Sequence, residues 1–185
     1  MDRMLYKKVF ELSKIVSETI WKKKPTLEYA HNVAALLVGT AIAESSLRYR
    51  RQKGFATNTL YGAWGLWQCE IGSITTSLNF IRKDSALLER CNQYIPKNVI
   101  QCRSMNEFQA FPDIVKMNAI MKDDGLACLF SRLHYLRQPG AVPDTLAGQA
   151  EYWKKYYNTI CGKGTVERYI EAVNAAIEEI KNEKK

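Results

Sequence analysis

The stretch TLEYAHNVAALLVGTAIAESS, residues 26–46, decides the fold class. Its apolar residues, among them Val33, Ala34, Leu37, Val38, Ala41 and Ile42, fall on most sides of a helix rather than along one stripe. A helix that is apolar all round belongs inside a bundle. Thr26 offers a side-chain oxygen to its first turn, and Pro25 stops whatever precedes it or begins this helix. The helix ends in Glu44, Ser45 and Ser46. Leu37, Ala41 and Glu44 follow at steps of four and three, so the Glu44 carboxyl shares a face with core residues. A carboxylate drawn out of water there has a raised pKa. Position alone also admits a structural glutamate that caps or pairs near a helix end.

Working towards the amino terminus, Leu5, Val9, Leu12, Val16 and Ile20 mark one face of a helix within residues 1–24. Towards the carboxyl terminus the pattern breaks. Gly54, Gly62, Gly65 and Gly72 punctuate a segment crowded with Phe55, Tyr61, Trp64 and Trp67, which reads as a structured loop or short hairpin. Ser73 is expected to cap a helix reaching Arg82, and Asp84 another reaching Tyr94. Residues 96–104 lack pattern. Glu107 to Arg137 reads as helix with a break near Asp123, Asp124 and Gly125. Pro139, Gly140 and Pro143 form a loop, and Leu146 to Tyr157 a short helix. Thr165 caps a final amphipathic helix through Val166, Ile170, Val173, Ile177 and Ile180. With no repeat or linker, the reading is one mainly α domain over residues 1–185. Its parts are an N-terminal helix (1–24), a core (27–170) and a C-terminal helix (165–185).

Composition agrees with a packed globular chain: 185 residues, 46% hydrophobic and 25% charged. No run of 18 apolar residues occurs, so no membrane span is expected. The formal charge of +8 favours a polyanionic partner without choosing among nucleic acid, anionic lipid and bacterial wall polymers. The cations cluster at Lys22 to Lys24, at Arg48, Arg50, Arg51 and Lys53, and at the C-terminal end. A nucleic-acid module calls for basic residues gathered on one helix face with aromatics interleaved. The Arg48 to Lys53 cluster near three aromatics meets that only in part. Five cysteines without a CxxC pair argue against a disulfide framework or zinc ribbon and for reduced thiols. His31 and His134 have no partners at metal-ligand spacing. No phosphate loop and no serine or cysteine nucleophile with a His-Asp partnership can be identified.

Two motifs give Glu44 a context. Glu44-Ser45 is followed by Gly62-Ala63-Trp64-Gly65-Leu66-Trp67-Gln68. The pair resembles the lytic transglycosylases of the lysozyme-like superfamily, of the soluble type, where a helix ending in Glu-Ser precedes Gly-Ala-x-Gly-Leu-x-Gln. A weaker third match is Tyr157-Asn158, where such enzymes carry a Tyr-Asn-Ala-Gly-like stretch; Thr159 replaces the small residue. The resemblance covers residues 27–170 with few specific matches, and the basic loop after Glu44 is longer than the family pattern.

The resemblance implies a lysozyme-like domain with a short loop or hairpin after the catalytic helix. It implies that Glu44 is the catalytic acid and base. Gln68 and its neighbours would line a glycan groove, and Tyr157 would hydrogen-bond near Glu44. Substrate contacts are expected from Ser45, Tyr61, Gly65, Trp67, Gln68, Tyr157 and Asn158. Tyr61 and the tryptophans suit stacking on sugar rings. Trp67 is expected in the groove, and Trp64 equally suits the core. The partner is the peptidoglycan glycan strand, and no metal or organic cofactor is needed. Glu70 is a candidate second carboxylate.

Alternatives are a muramidase-type hydrolase and a virion-associated structural or wall-binding protein with little activity. The N-terminal segment is amphipathic and charged, unlike a secretory signal. That fits a bacteriophage origin: synthesis in the host cytoplasm, then access to the wall through holins or as a virion component beside other virion proteins.

Overall fold

A computed structural model describes residues 3–21, 25–52, 62–158 and 162–182. Tyr61, Phe55, Lys53 and Lys22 to Lys24 lie outside them. The chain is mainly helical, with α1 (Arg3–Ile20), α2 (Leu27–Ser45), α3 (Ile71–Ile81), α4 (Ser85–Asn92), α5 (Met105–Ala110), α6 (Asp113–Lys122), α7 (Asp124–Leu136), α8 (Leu146–Trp153) and α9 (Val166–Asn182). None of these helices is long and apolar enough to cross a membrane.

As its composition dictates, α2 is central. Val33, Leu36, Leu37, Val38, Ala41 and Ile42 are all buried. α1, α7, α8 and α9 pack against it. The Thr26 side chain accepts from the Tyr29 N–H at 3.2 Å, as expected of an N-cap. α1 turns Val9, Val16 and Ile20 inward against α2 and α7. α2 stops where Ser46 and Leu47 both enter the left-handed region, each at φ 53°. That conformation costs about 1–2 kcal/mol per residue without a glycine. Leu47 is only 2% exposed, and burying a leucine contributes about 1.5–3 kcal/mol, which offsets the cost at Leu47 itself.

After α2, Arg51 bridges Trp64, and Trp64 bridges Cys69. These short antiparallel pairings give a rudimentary hairpin, and residues 53–61 lie outside the described residues. Arg50 forms a two-pronged ion pair with Asp124 at the start of α7, and the Arg51 guanidinium lies 3.8 Å from the Trp64 ring centre. Two cations of the basic cluster thus have structural partners.

Three helix expectations need correction. Ser73 does not cap α3: the helix begins at Ile71 with Glu70 at the N-cap, so Ser73 sits in its first turn. The span from Glu107 to Arg137 is three helices, because Pro112 lacks an N–H and starts α6 afresh. The second break, at Asp123, is where the sequence indicates it, with the carboxylate accepting from the Leu126 N–H at 2.8 Å. The segment after Leu146 is not one regular helix: Lys154–Asn158 form a π-helical turn.

Candidate active site

Glu44 lies at the end of α2, at the edge of a cleft of about 760 Å³. Ala63, Gln68, Cys69 and Glu70 line it from the segment after α2. Trp153, Tyr157, Asn158, Lys163, Gly164 and Arg168 line it from the other end of the chain. Burial pushes the Glu44 carboxyl up to about 7, and the negative charge of Glu70 adds to the rise. Hydrogen bonding from Trp153 and Asn158 holds it back. The Trp153 indole N–H donates to Glu44 Oε1 at 3.0 Å. A carboxyl poised near neutrality can both give and take a proton, which is the property general acid–base catalysis needs.

The Gly65–Gln68 turn is built by its backbone. Trp64 and Cys69 exchange N–H to carbonyl bonds of 2.9 and 2.8 Å across it. Gly65 stands at φ +76°, and a Cβ there would lie 3.1 Å from the Ala127 side chain and 3.2 Å from the Ile120 carbonyl. The turn therefore favours glycine, and the contact with α6 and α7 leaves a Cβ little room. Gln68 closes the turn: its Nε2 donates to the carbonyls of Gly65 at 2.8 Å and Tyr49 at 3.1 Å. With both amide hydrogens used, Oε1 is the group it can offer the cleft.

Of the residues expected to touch substrate, Gln68, Tyr157 and Asn158 line the cleft with Glu44. Ser45, Gly65 and Trp67 do not. Ser45 is buried, and its hydroxyl turns back to the Ala41 carbonyl at 2.8 Å. Gly65 shapes the turn from within the core. Trp67 is 0% exposed, its indole N–H donating to the Leu37 carbonyl of α2 at 2.8 Å. Trp67 is thus a core anchor and not a stacking platform, and Trp64 is buried as well. Tyr61 lies outside the described residues.

Tyr157 reaches the cleft but does not hold Glu44. Its hydroxyl donates to the Trp67 carbonyl at 2.7 Å, and its ring stacks on Tyr135 at 5.2 Å. It ties the C-terminal wall to the glycine turn. The residue bonded to the carboxyl is Trp153, which no sequence motif singles out. Trp153 and Asn158 are five residues apart and would diverge on an α-helix; the wider π-helical turn between them lets both serve the carboxyl. Lys154 steadies Asn158, its Nζ donating to Asn158 Oδ1 at 3.0 Å and to the Gly162 carbonyl at 2.9 Å. That leaves the Asn158 Nδ2 hydrogens for Glu44. Gly164 makes room, since a Cβ there would sit 2.4 Å from the Trp153 ring and 3.0 Å from Asn158 Nδ2.

Glu70 is exposed at the α3 N-cap and borders the same cleft. The described cysteines, Cys69, Cys91, Cys102 and Cys128, are free and buried. Burial raises all four thiols, so they stay protonated. Among the described residues no group of three His, Cys, Asp or Glu side chains could hold a metal ion. No family model matches the chain, and no characterised protein and no solved structure matches it at a significant level.

Proposed function

We propose that this protein is a lytic transglycosylase with a lysozyme-like fold that cleaves the β-1,4 bond between N-acetylmuramic acid and N-acetylglucosamine in peptidoglycan. The observation that carries the reading is Glu44: one carboxyl, raised to about 7 by burial, at a cleft beside Gln68 and Asn158. Protonated Glu44 delivers its proton to the departing glycosidic oxygen as the C–O bond breaks. The substrate's acetamido group stabilises the cationic centre. Glu44, now a carboxylate, receives the proton of the muramyl C6 hydroxyl as that oxygen closes a 1,6-anhydro ring. Trp153 and Asn158 support the carboxylate in the interval when it carries charge. No cofactor enters these steps.

A muramidase-type hydrolase is the second reading, and Glu70 is the observation behind it. An inverting hydrolysis needs a second carboxylate to activate water, and Glu70 borders the cleft. One experiment separates the two. Purified sacculi are incubated with the protein and released muropeptides are analysed by mass spectrometry. Anhydro-muramyl ends support the transglycosylase, and reducing ends support the hydrolase. No release, with the protein folded, overturns both in favour of a structural or wall-binding role. Either activity fits delivery to the wall through holins or as a virion component.

A further inference from the structure

Ser73 and His134 border the cleft that holds Glu44, yet the proton transfers above do not use them. His134 Nε2 stands 2.6 Å from the Tyr156 carbonyl oxygen. A carbonyl only accepts, so Nε2 carries a hydrogen. Nδ1 faces Arg137 Nη2 at 3.4 Å and Ser73 Oγ at 2.8 Å. A guanidinium only donates, so Nδ1 presents its lone pair and the ring is neutral. Burial first, and the Arg137 charge as well, hold the ring below the usual histidine range against the opposing bond to Tyr156. The Ser73 hydroxyl hydrogen is therefore committed to Nδ1.

Ser73 differs in this from four hydroxyls further along their helices. Ser17, Thr40, Ser45 and Thr76 each turn back to a carbonyl of their own helix four residues earlier. Ser73 lies in the first turn of α3, where the residue four positions earlier precedes the helix, and its hydroxyl turns to His134 instead. Its hydrogen is spent, so the oxygen offers the cleft only lone pairs. Such a group accepts from a ligand and donates nothing.

We infer that Ser73, held by His134, forms a second, acceptor-only subsite of the cleft that takes a hydroxyl or acetamido N–H of the glycan. The inference rests on the glycan-cleaving reading and adds to it a fixed direction of hydrogen bonding. His134 acts through Ser73 and is a positioning residue.

The test is binding by the full chain carrying Glu44→Gln, titrated calorimetrically with chitotetraose so that no turnover intervenes. Adding Ser73→Ala is expected to weaken binding about five- to tenfold, the worth of one lost neutral hydrogen bond. Ser73→Thr, which keeps the hydroxyl, is expected to stay near the parent affinity. His134→Gln keeps a donor for the Tyr156 carbonyl but removes the ring acceptor, and is expected to fall between them. Alanine suits a half-buried helix turn, so circular dichroism should report an unchanged fold for Ser73→Ala. Cellotetraose, which lacks the acetamido group, identifies the donor. A Ser73→Ala penalty that disappears with it assigns the acetamido N–H, and one that persists assigns a sugar hydroxyl, whether one common to both ligands or the C2 hydroxyl that replaces the acetamido group. Equal chitotetraose affinity with and without Ser73, or a threonine variant as weak as alanine, overturns the subsite alone. A folded parent that binds no chitotetraose overturns the glycan reading and this inference with it.

Discussion

The segment that follows α2 from Ala63 to Glu70 and the segment from Trp153 to Arg168 form facing walls of one cleft, and their side chains do opposite work. In the first, Trp64, Leu66 and Trp67 all point into the core. Its recognisable glycines and aromatics serve to hold a turn in place, and Gln68 and, at its end, Glu70 are the polar groups it offers. In the second, Trp153 and Asn158 act on the Glu44 carboxyl directly, with Lys154 behind Asn158. The wall with the stronger motif is scaffold. The wall with the weaker motif tunes the acid. Motif strength here follows backbone demands, because a turn at positive φ admits few residues, whereas a hydrogen-bond donor can come from several side chains and several places.

The largest expected effect tests whether either wall matters without the acid between them. Glu44→Gln keeps the shape and removes the transferable proton. Muropeptide release from sacculi should fall by at least about 10³-fold, within the range for a lost general acid. Wild-type release should also decline as pH rises through about 7, where Glu44 loses its proton. Release that keeps its full rate in the variant would remove Glu44 from the mechanism.

The same substitution probes stability with a definite sign. Folding raises the Glu44 pKa from 4.5 to about 7. The folded state therefore holds the proton more tightly, and this contribution is fully present below about pH 4.5. It is lost as pH rises through about 7. Glu44→Gln relieves the cost of the buried charge. Relative to wild type, the variant should gain up to about 3 kcal/mol between pH 4 and pH 8, each pKa unit being worth about 1.36 kcal/mol. Urea denaturation at the two pH values measures it, and a difference independent of pH would contradict the burial of the carboxyl.

A matched pair of tryptophan variants then separates the walls. Trp153→Phe removes a donor to Glu44, so the Glu44 pKa should rise further. The alkaline limb of the rate profile should move to higher pH, while the plateau rate below it falls about tenfold, because the developing carboxylate loses one hydrogen bond. Trp67→Phe removes a donor to α2. It should cost about 1–3 kcal/mol in urea unfolding through the smaller ring and the lost bond, and leave the alkaline limb in place. If Trp67→Phe moves the limb and Trp153→Phe does not, the assignment of scaffold and acid-tuning walls is reversed.

The contrast between the walls also governs how much of the fold and of the site is legible in the sequence. The apolar surround of α2, the caps at Thr26, Asp84 and Thr165 and the break near Asp123 are local signals, and each has its expected effect. Glu44 is legible because the helix period ties it to Leu37 and Ala41. Trp67 misleads: an aromatic beside Gln68 looks exposed, but the turn directs Trp67 into the core, where its indole N–H bonds the Leu37 carbonyl of α2. Trp153 is invisible to α-helical spacing, since only the π-helical turn aligns it with Asn158. Ser73 reads as a cap because serine favours that role, and only the chain fold brings His134, 61 positions later, within 2.8 Å.

The smallest expected effect concerns the basic loop, where the chain departs most from the pattern it resembles. Arg50 contributes to the scaffold wall in two separable ways. Its backbone carbonyl accepts from the Gly65 N–H at 2.9 Å, which fixes the start of the turn, and its side chain pairs with Asp124. Arg50→Gln removes only the second. The arginine side chain is 41% exposed, so water and salt already screen the pair, and such pairs contribute about 0.2–1 kcal/mol. Unfolding should shift by no more than that, and the shift should shrink as salt is raised. Because the backbone bond survives, Gln68 should keep its place and the rate profile its alkaline limb. A loss of activity in Arg50→Gln without a loss of stability would mean that the loop's charge meets the substrate, and that the scaffold wall does more than hold a turn.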